Sequence, residues 1–222
     1  MFGATLLGLP LAVHRGVWRE MPHTVRVGTY FAALGLGFLF LEIALIQRLT
    51  LFLGYPTYSL SVTLFSILLS TGAGSLACAR HAGAVPRALL ILLGALSGLI
   101  VLYLIALGPL LTYAGGLAFE ARVVLAVAVV APLGFCLGWF MPLGIRYVTA
   151  LTPHGDRFVA WCWAVNGFFS VVSSVLATMV AMAAGFGWVM VAAGLVYAVG
   201  IFALLTVSLP MDPATPAVSR EA

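Results

Sequence analysis

Charge is what this chain has least of. Aspartate, glutamate, lysine and arginine make up 7% of its 222 residues, against about 25% in a soluble domain. Lysine is absent, so all ten basic residues are arginine. With 64% apolar residues, the deficit excludes a soluble globular domain and predicts an integral membrane protein. The formal charge of +4 is spread over connecting segments and predicts no nucleic-acid binding. Cysteine is scarce as well. Cys78, Cys136 and Cys162 sit in or near apolar runs with no C-x-x-C spacing. That argues against a disulfide framework or a zinc site and leaves small packing residues. Catalytic signatures are missing too. There is no G-x-G-x-x-G after a strand, no Walker A loop, no H-E-x-x-H and no G-x-S-x-G. Glu42, Glu120 and Asp156 make no plausible carboxylate pair. His14, His23, His81 and His154 fall in predicted loops. The expectation is a protein without enzymatic activity, cofactor or metal.

Long apolar runs are what the chain does have. Crossing a bilayer takes about 20 residues in a helix. Six runs meet that length: 27–46, 56–78, 88–107, 123–145, 158–184 and 188–209. The predicted architecture is all-α and polytopic, with a six-helix transmembrane domain over 27–210. Residues 1–26 hold a short apolar stretch and a polar loop. The stretch is too short to span and lacks the basic start and small-residue cleavage site of a signal peptide. It reads as the end of a helix begun upstream, or as a short interfacial helix. Residues 211–222 read as a disordered tail. Gly108-Pro109 is expected to end or kink the third run. Pro132 and Pro142 free carbonyls in the fourth that protein or water must satisfy.

The stretch from Gly35 to Ser75 carries the sharpest signals. Glu42 lies well inside the first run, where an ionisable group costs roughly 3 kcal/mol on insertion scales. It is expected to face protein, on a face shared with Gly28 and Gly35, which drifts by about 20° per heptad. Arg48 is six residues on, about 120° round the helix and about 9 Å along it, so it is no same-face partner. Asn166 is the favoured partner, and Arg146 serves only if its helix end reaches inward. Glu42 is either a structural carboxyl between helices or a group that couples a proton or a substrate. Ser59, Thr63, Ser66, Ser70 and Gly74 line the second run where a neighbour can approach. Asn166, Ser170, Ser174 and Thr178 recur every fourth residue and predict one polar face on the fifth run, also buried in protein. Gly94 with Gly98, and Gly134 with Gly138, have G-x-x-x-G spacing and are expected to pack helices.

Arginine distribution predicts orientation. Six spans place eight arginines on one side and Arg48 and Arg122 on the other. The positive-inside rule assigns the eight, and both ends of the six-helix unit, to the cytoplasm. Trp18 and Tyr147 are expected at the inner interface, and Tyr55, Tyr113 and Trp188 at the outer one.

Two groups of residues carry a resemblance. The first is Glu42-Ile-Ala-Leu-Ile-Gln-Arg48, then Leu53-Gly54, Tyr58 and Gly72-Ala-Gly-Ser75. The second is Met141-Pro142-Leu-Gly-Ile-Arg146, followed by Trp163-Ala-Val-Asn166-Gly167 and Ser170. Together they resemble the membrane region of bacterial spermidine synthase-like polytopic proteins, over about residues 35–187. In that family such regions accompany a Rossmann-type aminopropyltransferase-like domain, for which this sequence has no counterpart. The resemblance implies a bacterial inner-membrane location and a noncatalytic membrane domain or subunit. It would anchor or feed an aminopropyltransferase-like partner. The family's membrane parts are similar to half-units of major-facilitator transporters, which implies pairing with a second six-helix unit. A transporter half-unit and a purely structural membrane subunit are the alternative expectations. The partners implied are the lipid bilayer and either a Rossmann-type aminopropyltransferase-like domain or a second six-helix unit. Glu42, Arg48, Pro142, Arg146, Asn166 and Gly167 are the motif positions.

Overall fold

Glycine and proline at Gly54, Tyr55 and Pro56 divide the first two apolar runs. In the computed structural model, which describes residues 23–80, 83–151 and 156–207, α1 (Thr24–Leu53) runs straight into this break. Gly54 ends it with φ 87°, donating its N–H back to Thr50. A left-handed backbone there suits glycine, which lacks a Cβ to clash. The expected end near Ile46 is therefore about two turns early. Gln47 and Arg48 do not stop the helix, because a long arginine can carry its charge toward the interface from inside it. Pro56 then opens α2 (Pro56–Ala79) at its first turn, where its missing N–H costs nothing.

The third span does not end at Gly108-Pro109. α3 (Val85–Leu102) passes through a π-turn, Tyr103–Leu107, into α4 (Gly108–Tyr113). A π-turn widens the helix by one residue, and the proline falls in the first turn of the next segment. The fourth span divides at Gly138 and Trp139 into α5 (Phe119–Leu137) and α6 (Phe140–Leu151). α7 (Asp156–Ala184) and α8 (Phe186–Leu205) complete the bundle. The described residues contain no strand, and six helical segments are long and apolar enough to cross a membrane. Residues 1–22 and 208–222, with the expected short helix and tail, lie outside the described residues, as do His81 and His154.

α1 is the hub. It packs on α8 and α7 most extensively, and also on α2, α5 and α6. Of its most apolar stretch 67% is buried, against 11% for the fifth span. Small residues let each neighbour close in. A Cβ on Gly35 would lie 2.3 Å from the Asn166 carbonyl oxygen of α7, and one on Gly37 would lie 2.5 Å from the Tyr197 ring of α8. On the α6 side the roles reverse, and the Tyr30 ring of α1 fills the space over Gly144. Paired positions rise together along α1 and α7 and run oppositely along α1 and α8. That is the alternation a six-span chain requires. Arg26 Nη1 donates to the Thr206 carbonyl at 2.9 Å, so the start of α1 and the end of α8 share one end of the bundle.

A second tight pair is α2 with α5. A Cβ on Gly74 would meet the Phe135 carbonyl oxygen at 2.1 Å, and one on Gly138 the Thr71 carbonyl oxygen at 2.1 Å. Gly134 packs on Ser70 in the same way. This G-x-x-x-G pair thus joins two spans. The other pair does not: Gly94 and Gly98 are exposed, with nothing within 4 Å of an added Cβ.

Candidate functional site: a cleft between two helix pairs

The two close pairs, α1 with α7 and α2 with α5, leave a cleft of about 830 Å³ between them. Leu34 and Phe38 of α1 form its floor. Leu68, Thr71, Gly72 and Ser75 of α2 form one wall, and Trp163, Asn166 and Ser170 of α7 the other. Met141, Pro142 and Arg146 of α6 close the end nearest the chain's described start. The walls are mainly apolar. Arg146 is the one charged side chain among the described lining residues. Its guanidinium lies beside the Cys78 thiol, and Cys78 Sγ approaches the Trp139 carbonyl at 3.9 Å. Arg26, Arg80 and Arg87 lie at this same end of the bundle, while Arg48 and Arg122 lie at the other. Arg122 Nη1 donates to the Phe52 carbonyl at 3.0 Å and ties α5 to the end of α1.

The polar residue types placed on α7 divide sharply. Asn166 Nδ2 donates to the Phe31 carbonyl at 3.3 Å, and Ser170 donates within its own helix to Asn166. Ser174 and Thr178 are exposed and bond only to their own helix. The expected buried stripe is therefore only half buried. Four-residue steps overshoot a 3.6-residue turn by about 40° each, so Thr178 lies about 120° round from Asn166. Ser173, outside the stripe, is the buried one, donating to the Leu36 carbonyl at 2.8 Å. On α2 the spacing includes one three-residue step, which takes back about half of the drift. Ser59, Thr63, Ser66, Ser70 and Gly74 are accordingly all buried. The hydroxyls of Ser66 and Ser70 bond within α2. Ser59 crosses to α1, donating to the Ile46 carbonyl at 2.7 Å. Small size, more than hydrogen bonding, is what this face contributes.

Glu42 is buried at 9% exposure but outside the cleft, one turn beyond Phe38 on α1. Asn166 is not its partner. Asn166 serves Phe31, eleven residues earlier on α1, or about 16 Å away along the axis. The α1–α7 register instead sets Glu42 level with Ala177 and Thr178. The bond from Ser59 to Ile46 sets Thr63 at the Glu42 level across α2. Thr63 Oγ1 is buried and has no partner among the described residues. No hydrogen bond or ion pair joins Glu42 to a described residue either. Arg48 is remote from both, in a smaller groove of about 320 Å³ with Phe52 and Thr112. Gly167 is exposed, with open space where a Cβ would go. So Pro142, Arg146, Asn166 and Ser170 converge on the cleft, while Glu42 and Arg48 do not.

Tyrosine inside the spans carried a signal that the composition reading missed. Tyr147 lies at the arginine-rich end, near Val207, but is buried and donates to the Val207 carbonyl, so its ring packs in protein rather than facing outward. Tyr30 donates to the Phe140 carbonyl at 2.6 Å, and Tyr103 to the Val129 carbonyl. Both acceptors lie in the proline-containing fourth span. A phenol in an apolar run needs such an acceptor. Tyr55, Tyr113 and Trp188 are exposed at the opposite end, where interfacial aromatics belong.

No protein-family model, curated protein or solved structure matches this chain.

Proposed function

We propose that this chain is a noncatalytic membrane domain of a spermidine synthase-like system, and that the cleft is its ligand site. The observation behind the reading is convergence. Residues of both resembling groups (Gly72 and Ser75; Met141, Pro142 and Arg146; Trp163, Asn166 and Ser170) come together on one cleft from three spans. The family role is then anchoring an aminopropyltransferase-like partner at a bacterial inner membrane, with the arginine-rich end in the cytoplasm. Feeding a polyamine through the cleft is less well supported, because no carboxylate lines it among the described residues. The test is co-expression with the product of the adjacent reading frame. Aminopropyltransferase activity should sediment with membranes only when this chain is present. A soluble activity, or an adjacent frame with no Rossmann-type domain, would overturn the anchoring role. The transporter half-unit is the second reading, supported by a cleft that opens sideways between α2 and α7, where a second six-helix unit would close it.

A further inference from the structure

We infer that the cleft holds one anionic phospholipid from the leaflet at the arginine-rich end, with Arg146 at its headgroup and the apolar walls along its acyl chains. The inference rests on the reading of the cleft as the ligand site and names the class of ligand. Three observations carry it.

The first is depth. The α2 wall runs from Leu68 to Ala79, about 16 Å of helix. That is close to half of a hydrocarbon core some 30 Å thick. The cleft therefore spans one leaflet and not the bilayer, which suits a lipid and not a transmembrane path.

The second is access. Leu68 and Trp163 on opposite rims are 64% and 56% exposed. The mouth opens sideways, so acyl chains can enter without leaving hydrocarbon. A water-soluble anion would gain nothing from walls such as Phe38, Leu137 and Ile145. An amphiphile buries its chains there.

The third is charge. Arg146 sits at the headgroup end of the cleft, with Asn166, Thr71 and Ser75 as the polar lining below it. A planar guanidinium suits a phosphate through paired N–H donors. Arg26, Arg80 and Arg87 at the same end add a field that favours anionic headgroups.

The test is native mass spectrometry of the full chain released from nanodiscs of phosphatidylglycerol and phosphatidylcholine. Wild type should retain one phosphatidylglycerol in preference to phosphatidylcholine. Arg146→Gln should weaken that preference about tenfold, the scale of one charge-assisted contact. Arg146→Lys should keep most of it. Arg80→Gln, at the same end but off the cleft, removes only part of the surrounding field and should weaken the preference far less than Arg146→Gln. Gly72→Phe should expel the lipid, because a side chain there enters open cleft space without meeting another helix. Equal retention of both lipids by wild type, or an unchanged preference in Arg146→Gln, would overturn the anionic assignment and leave the ligand cleft standing. Undiminished lipid retention in Gly72→Phe would overturn the cleft as the ligand site altogether. A lipid-free dimer would overturn the lipid and give the cleft to a second copy of the chain.

Discussion

Replacing Gly35 by alanine tests the central claim that α1 organises the bundle by close approach. The new Cβ would stand 2.3 Å from the Asn166 carbonyl oxygen and 3.0 Å from the Ser170 backbone nitrogen. Both are backbone atoms of α7, so neither can rotate away. Overpacking of this kind costs about 1–3 kcal/mol. Moving α7 outward also strains the bonds from Asn166 to Phe31 and from Ser173 to Leu36, each worth about 0.6 kcal/mol in a membrane. Alanine returns roughly 0.5–1 kcal/mol through lower backbone entropy in the unfolded chain. With both bonds lost, the net loss should be about 1–3.5 kcal/mol. Gly98→Ala is the matched control. Its Cβ meets nothing within 4 Å, so only the gain of roughly 0.5–1 kcal/mol remains. Equilibrium unfolding in mixed micelles titrated with dodecyl sulfate reads both. A Gly35→Ala protein within about 0.5 kcal/mol of wild type, or a Gly98→Ala protein equally destabilised, would refute the reasoning.

Three further outcomes follow from the same geometry. Ser173→Ala should lose about 0.6 kcal/mol in the same unfolding assay and Ser174→Ala nothing, since only Ser173 reaches α1; equal effects would restore the four-residue stripe. Glu42→Gln should leave the thermal midpoint in detergent unchanged, because no charged group faces Glu42 from a described residue. A fall of several degrees would reveal a charge partner there. Single cysteines introduced at Gly83 and Gly116, both exposed, should react with an impermeant maleimide from opposite sides of sealed vesicles, and labelling of both from one side would end the six-span topology.

The architecture was legible because it follows from a local quantity. Six apolar runs with almost no charge have no other stable environment, and lipid forces each into a helix that satisfies its own backbone. The packing role of Gly134 and Gly138 could be read as well, and so could the face from Ser59 to Gly74. Spacing alone misled where the drift of the helix mattered. Asn166 and Thr178 look equivalent in a four-residue repeat, yet the accumulated rotation turns one toward α1 and the other away. Gly94 and Gly98 have the same spacing as Gly134 and Gly138, but which helix lies opposite is not written in either segment.

The sequence by itself determined the class of protein, the number of spans, the turn at Gly54 and the segregation of arginines to one end. Each depends on residues near one another or on the bilayer's thickness. Tertiary structure alone decided that Arg146, Asn166, Ser170 and Gly72 border one cleft while Glu42 and Arg48 stay outside it. It also chose Ser173 over Ser174, and it gave Tyr30 and Tyr103 their acceptors in the fourth span. Those outcomes depend on the rotation and register of one helix against another. They are set by backbone contacts at single glycines such as Gly35 and Gly74, between segments that for Gly35 lie more than a hundred residues apart.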